Sequence, residues 1–505
     1  MTDSKRRNAK INAFFGFFNQ FVILALGLLI PRLVLVNYGS EVNGLLTTVT
    51  QIFTYVALLE SGIGNAAVNA FYKPIVENDR DAISDVFSAT QKYFRKVTLL
   101  YALCVIVISV AYPFLVSSEL DYATIFWVIF FQGMSGVITF YFSAAYRQLL
   151  TADGKYYIIS TIHLIIYILS SVTKIVLMTF GISIVFLQVL NFVITCIQIL
   201  IYVLVMRKKY AYLKTVSSPN MSALSERGAF VIHEVSSTIF SSTDALVLST
   251  FCSLKVASVY SIYNMVFSSL SSLINSVNNG LNYILGHSYA EGDSKKYENT
   301  HDTYESIYMM SVFSIFTVAY ILILPFVKLY TSGVEDIEYV DKLLPFLFVA
   351  IQLLSCSRAV ASRLITISGH ARATQMRSII EAAINLVTSI ILVNLVGIYG
   401  VLLGTIVALL YRSNDIIIYA NKKILKRSPM CTYKKMFVYL AIFACVALLC
   451  EVFYDRLMNG VSDFFVFIIC GIVFTPLLVI VYALGTLLVD KSIRKTVLSK
   501  IRRKG

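Results

Sequence analysis

The sequence predicts an all-α integral membrane protein. It should have about fourteen transmembrane helices, forming two parallel six-helix lobes around a central cavity with two extra C-terminal helices. Three observations predict this. Of the 505 residues, 58% are hydrophobic and 14% charged, whereas a soluble chain carries roughly 25% charged residues. The apolar runs are about 20 residues or longer, the length of a helix rather than a strand crossing a bilayer. The chain also repeats weakly on itself at an offset of 213–215 residues.

Taken in order, the spans fall near 12–37, 43–72, 97–117, 123–146, 157–180, 184–206, 228–251, 256–286, 307–331, 343–368, 378–396, 400–420, 436–454 and 463–489. The opening MTDSKRRNAK is too polar for a signal-peptide core, so the first apolar run is expected to stay in the membrane. The first span carries Pro31-Arg32, a tight turn follows at Asn37–Asn43, and Glu60-Ser61-Gly62-Ile63-Gly64 interrupts the second. A charge and helix-weakening residues at that depth are tolerated only against neighbouring protein or water. Spans seven and eight are the polar pair of the second half. The seventh carries Ser236-Ser237-Thr238 and Ser241-Ser242-Thr243-Asp244, the eighth Ser268, Ser269, Ser271, Ser272, Asn275, Asn278, Asn279 and Asn282. With Asn19, Gln20, Gln51 and Asn65 on the first two spans, they describe a hydrated wall, alongside the helix-packing use of such residues. Tyr55, Tyr260, Tyr263 and Tyr283 on the same spans offer faces for stacking on sugar rings.

The repeat lays Leu149–Gly154 on Leu364–Gly369 and Arg207-Lys208 on Lys422-Lys423; with two residues fewer, Gly62–Asn65 falls on Asn275–Asn278. Six helices per unit means that both units enter from one side, the parallel-repeat arrangement of secondary transporters. The expected division is 1–214, 215–430, and 431–505 for the last two helices and a basic tail. Thirty-three of the 42 lysines and arginines lie in the termini and alternate loops on one side. That side is expected to be cytoplasmic and to hold both termini. The net charge of +14 is thereby explained without nucleic acid. The segments Glu77–Lys96 and Glu291–Glu305 mix charged and apolar residues as interfacial helices do, and the tail from Lys491 suits anionic membrane lipids.

Eight scattered cysteines without a CxxC, and five dispersed histidines, suggest neither a disulfide framework nor a metal site. No P-loop or other nucleotide site is present, so no cofactor and no direct use of ATP are expected. The loops opposite the basic side are short, which leaves no folded outer domain for a membrane glycosyltransferase or ligase.

Charged residues inside spans are the candidate site. At about 1.5 Å per residue, Glu60, Arg358 and Arg412 fall near the midplane. Arg32, Lys174 and Asp244 fall in the outer third, and Arg363, Glu381 and Asp415 toward the cytoplasm. Arg32 and Glu60 differ by several turns in depth and are not paired. Arg412 and Asp415 are i,i+3 neighbours that can neutralise each other. Arg32, Lys174, Arg363, Glu381 and Asp415 can also snorkel to an interface. An excess of fixed positive charge suits an anionic cargo, because arginine grips phosphate oxygens bidentately.

The run Pro31-Arg32, Tyr38-Gly39-Ser40-Glu41, Asn43-Gly44-Leu45 and Glu60-Ser61-Gly62-Ile63-Gly64-Asn65-Ala66-Ala67 resembles the polysaccharide (Wzx-type) flippases of the multidrug/oligosaccharidyl-lipid/polysaccharide exporter superfamily. That family often has Asp in the place of Glu60 and Leu-Gly after it. The resemblance implies a non-enzymatic flippase of the bacterial cytoplasmic (inner) membrane. Its cargo would be a polyprenyl-pyrophosphate-linked oligosaccharide, moved to the outer leaflet by alternating access. It implies substrate binding by Arg32, Arg358, Arg412, Lys174 and Arg363. It implies proton or sodium coupling at Glu60 and Asp244, and polysaccharide polymerase machinery as a partner. A lipid II flippase shares this charge logic. A multidrug cation exporter would need a net acidic cavity, and a scaffold or channel leaves the twofold repeat without a purpose.

Overall fold

The computed structural model describes residues 3–60, 63–221, 228–290, 294–490 and 494. The basic tail apart from Arg494 lies outside the described residues, as do Ser61, Gly62 and the side chains of Asn19, Gln20, Asn278, Asn279, Asn282 and Tyr283. Among the described residues there is no strand. Eleven helices are long and apolar enough to cross a membrane, and the protein is a multi-pass membrane protein. Each of the fourteen expected spans lies on one helix or on helices joined by a break.

The chain forms two compact units, Met1–Ser258 and Val259–Gly505. The first holds α1 (Asp3–Ala57), α2 (Ile63–Glu77), α3 (Arg80–Leu115), α4 (Tyr122–Ala152), α5 (Tyr156–Thr179), α6 (Ile184–Lys209), α7 (Gly228–Ser242), α8 (Asp244–Phe251) and the start of α9 (Leu254–Ala290). The second holds the rest of α9, then α10 (Ser294–Tyr330), α11 (Leu344–Ser357), α12 (Ala359–Ile367), α13 (Gln375–Val396), α14 (Ile398–Tyr419), α15 (Met430–Val452), α16 (Tyr454–Gly460) and α17 (Phe464–Val489).

In the first unit α1 is two helices end to end, turned at Gly39, whose φ of 81° and ψ of 178° a side chain would resist. The turn is held from both sides. The Tyr38 hydroxyl donates to the Ile182 carbonyl. The Glu41 carboxylate accepts from the Ser118 hydroxyl at 2.7 Å and from the Glu119 backbone N–H at 2.9 Å. One step on, Asn43 donates to Ser258 at 2.8 Å. Gly44 lies so close to the start of α9 that a Cβ would stand 1.8 Å from the Leu254 carbonyl oxygen. Leu45, Val49 and Phe53 then bury against Val105, Val128 and Ile129. The second α1 arm ends in a 3-10 turn over Leu58–Glu60.

The segment Glu77–Lys96, expected to have the character of an interfacial helix, is continuous with the third span: α3 starts at Arg80, capped by Asp79, and runs 36 residues without interruption. No Gly or Pro falls between Arg80 and Lys96 to stop it. The same holds for α10, which begins at Ser294.

In the second unit Tyr263, Phe348, Phe267 and Phe316 stack in a row at the centre. Helices α13 and α14, joined at Gly397 with φ 58°, pack backbone to backbone. Gly400 and Gly404, four apart on one face of α14, let the backbones touch. A Cβ on Gly404 would stand 2.4 Å from Ser389 Oγ, and one on Gly400 would stand 2.2 Å from the Leu392 carbonyl oxygen. Asn385 donates to Thr405 at 2.9 Å in the same seam.

Helices α15 and α17 are tied to α10 by charge. The Lys435 ammonium stands 3.0 Å from Glu305, 3.8 Å from Asp302 and 3.7 Å from Asp490. Arg427 takes Asp302 at 2.5 Å, and Ser306 donates to Asp490 at 2.6 Å. His301, Asp302 and Glu305 lie close together, and the Lys435 ammonium engages the two carboxylates of the three.

Two outcomes test this packing. Gly404→Leu should lower the thermal midpoint of the detergent-purified protein, since overpacking costs about 1–3 kcal/mol; an unchanged midpoint would refute the seam. Lys435→Ala strands Glu305, which is 1% exposed. It should cost about 3–5 kcal/mol, the loss typical of breaking a buried pair, read in the same melting assay.

Candidate functional site

The second unit gathers five charged side chains into one alternating chain. Arg358 sits at the break between α11 and α12, with φ −86° and ψ −11°. Carbonyls freed at a break within a membrane need donors. Ser413 of α14 donates to the Leu354 carbonyl at 2.9 Å, and Ser357 donates to it at 2.9 Å. The Arg358 guanidinium donates to Glu381 of α13 at 2.5 Å. The other Glu381 oxygen lies 3.5 Å from Arg412 Nε. Arg412 donates to Asp415 at 2.7 Å and to Ser378 at 3.0 Å. Asp415 finally takes Arg377 at 2.5 Å, whose guanidinium lies over the Tyr419 ring at 5.1 Å.

The order is Arg358, Glu381, Arg412, Asp415, Arg377: three positive groups and two negative, one positive charge in excess. Glu381 and Arg412 are each 6% exposed. The seam sets this register. With Gly404 on Ser389 and Thr405 on Asn385, two further turns bring Arg412 opposite Ser378 and Glu381.

Two of the sequence candidates, Arg358 and Arg412, are therefore brought together, and the bridge between them is Glu381. Glu381 and Asp415 are paired within the unit. Arg363 lies further along α12, where its charge is felt at the Tyr304 and Tyr308 hydroxyls of α10.

The remaining candidates lie in the first unit. Tyr167 donates to the Ile23 carbonyl and Tyr38 to that of Ile182. Both pairs are 144 residues apart, so the first arm of α1 and α5 run parallel in constant register. That register puts Arg32 level with Val176, within one turn of Lys174. Both side chains are half-buried. Asp244 is buried and opens α8 at the break after Thr243. The second arm of α1 covers that break. Gln51 accepts from the Ala245 and Leu246 N–H groups at 3.1 and 3.3 Å, and Tyr55 bonds Thr243. Glu60 is half-buried in the 3-10 turn that ends the same arm, and its charge is felt at Tyr101. Glu60 and Asp244 thus both stand at helix breaks.

Sequence reasoning gave no site role to Glu381 or Arg377, and none to Glu41 as the holder of the first turn. The signal for Glu381 was available: a Gly-x-x-x-Gly on span twelve fixes which face of span eleven it meets.

Chemically, the second-unit chain holds three guanidinium groups oriented by two carboxylates, with Glu381 and Arg412 at its buried centre.

Among the described residues the fold is all-α, with eleven helices long and apolar enough to cross a membrane. An inward-facing multidrug resistance MATE family transporter of the MOP superfamily matches with a TM-score of 0.63 at 15% identity, over 81% of this chain and 98% of that one. The lipid II flippase MurJ, in an inward closed conformation, matches with a TM-score of 0.67 at 14% identity, over 93% and 97%. A MOP superfamily transporter from Pyrococcus furiosus, described as having a binding pocket of reversed polarity, matches at 0.51 and 13% identity, over 85% and 98%. At these identities the likeness is one of fold. No protein-family model matches the chain, and no curated protein matches it.

If Glu381 bridges two arginines, Glu381→Ala should lower the melting temperature more than Arg358→Ala does. The double variant should show a coupling of about 0.5–3 kcal/mol. Equal single effects with no coupling would break the bridge.

Proposed function

We propose that the protein is a flippase for a polyprenyl-pyrophosphate-linked oligosaccharide, a capsule, O-antigen or exopolysaccharide repeat unit. It would carry this cargo from the inner to the outer leaflet of a bacterial cytoplasmic membrane by alternating access, without covalent chemistry. The observation that carries this reading is the charge chain Arg358–Glu381–Arg412–Asp415–Arg377, buried at Glu381 and Arg412, with its excess positive charge. A diphosphate offers the charge and paired oxygens that guanidinium forks bind best, and the internal carboxylates are exchangeable stand-ins for it. Arg32 and Lys174, at one level in the first unit, and Arg363 would serve the same headgroup. Glu60 and Asp244, placed at helix breaks, would take the coupling proton or sodium ion. The termini and basic loops would face the cytoplasm, with polysaccharide polymerase machinery as a neighbour.

A lipid II flippase is the second reading. The same diphosphate chemistry favours it, as does the likeness in fold to a protein so named. A cation exporter fits less well, because its site would need a net negative charge.

Reconstitution in proteoliposomes tests the proposal. A fluorescent polyprenyl-pyrophosphate oligosaccharide should equilibrate between leaflets, read by quencher access, and Arg358→Ala and Arg412→Ala should each slow it by about tenfold or more. Lipid II moving while the oligosaccharide does not would select the second reading. Unchanged rates in both variants would sink the phosphate-clamp assignment.

A further inference from the structure

A polar cavity lies wholly within the first unit, away from the residues assigned above. It occupies about 350 Å³ between α4, α5 and α6, inside the size range of small-ligand sites. Arg147 of α4, Tyr156, Ser160 and His163 of α5, and Gln198 and Tyr202 of α6 line it. Its described lining residues include no carboxylate.

Three features give it one chemical character. Arg147 lies about 7.5 Å in from the end of α4, its guanidinium making neither hydrogen bond nor ion pair among the described residues, and its charge is felt at His163 and Tyr202. Asp153, the nearest acid along the chain, is engaged by Lys155 and by the Tyr210 hydroxyl. By contrast, Arg358, Arg377, Arg412 and Arg427 in the second unit each hold a carboxylate within 2.7 Å. Tyr156, in the first turn of α5, and Ser160, one turn on, line the cavity. The residue before that turn, Lys155, makes no side-chain cap, so the helix start adds N–H donors and partial positive charge. The Tyr156, Ser160 and Tyr202 hydroxyls and the Gln198 amide add groups that can donate to an anionic oxygen, and Ile159 is the apolar part of the wall.

We propose that this cavity binds a phosphate group, entering from the basic end of α4–α6, with the Arg147 guanidinium as its counter-charge. The same chemistry is presented by the headgroup of an anionic phospholipid and by free inorganic phosphate. A lipid would bring the phosphate to the depth of Arg147 and leave its chains outside. A free ion would reach the same donors from water. In either case the arginine gains the partner that the protein itself does not give it, and the bound group pins α4, α5 and α6 together.

The test uses the delipidated full chain in detergent. In native mass spectrometry, phosphatidylglycerol and phosphatidylethanolamine are titrated against wild type, Arg147→Gln and Arg147→Lys. In parallel, thermal melting is followed with inorganic phosphate against chloride at matched ionic strength. A headgroup site predicts one tightly held phosphatidylglycerol, weakened about tenfold or more by Arg147→Gln and largely kept by Arg147→Lys, with no specific effect of phosphate. A free-anion site predicts phosphate-specific stabilisation that Arg147→Gln abolishes, with no lipid preference. Either result supports the proposal. Ser160→Leu, which fills the cavity from α5 without removing charge, should abolish the same binding and serves if Arg147→Gln does not fold. Equal lipid and phosphate responses in wild type, Arg147→Gln and Ser160→Leu would overturn it. None of these measurements involves transport, so the outcome is independent of the proposed flippase activity.

Discussion

The touching backbones of α13 and α14 are the constraint from which the second unit's chemistry follows. Lipid gives helices no hydrophobic reason to associate, so close packing through small residues and internal hydrogen bonds must do it. Gly400 and Gly404 permit the approach, Asn385 and Thr405 lock it, and the helical repeat then decides which side chains meet two turns away. Arg412 comes to lie against Ser378 and Glu381 rather than against lipid. Once there it is sealed in by Asp415 on its own helix and by the partner of Arg358. The break at Arg358 is sustained by the same helix, because Ser413 satisfies the carbonyl that the break releases. Charge, kink and seam are therefore one structure with one cause.

The first unit solves the same problem with a turn. Gly39 supplies a backbone conformation that other residues avoid, Glu41 and Tyr38 anchor it to neighbouring loops, and Gly44 brings α1 against the start of α9. These residues dominate the resemblance to exporter sequences, and in the structure they build the fold and are not gathered into a ligand-binding cluster. That accounts for a motif that speaks to architecture more than to cargo.

Helix positions were legible in the sequence because hydropathy alone determines what can cross a bilayer. Rotation about each helix axis was not legible, and that is why Glu381 was read as reaching for an interface when it lies between two arginines. Depth is a one-dimensional property of a span; partnership needs the facing helix. The start of α3 at Arg80 was missed for a different reason. Charge marks the end of the hydrocarbon layer, but only Gly, Pro or a competing cap ends a helix, and none follows Asp79 until well into the span. The break at Arg358 carries no Gly or Pro to announce it. It comes from the pairing of side chains, which only the fold supplies.

The two groups of basic residues differ in how their charge is met, and the difference bears on what each can do. A guanidinium already bonded to a carboxylate has lost its hydration. When a phosphate replaces that carboxylate, the arginine exchanges one charged acceptor for another, and the exchange can run in both directions. Such a site suits a cargo that must be released on the far side. An arginine with no acidic partner gains its whole counter-charge from the ligand, so binding there is retained rather than exchanged. The Arg358–Arg377 chain has the first character. The cavity around Arg147 has the second, which fits a resident anion better than a transported one.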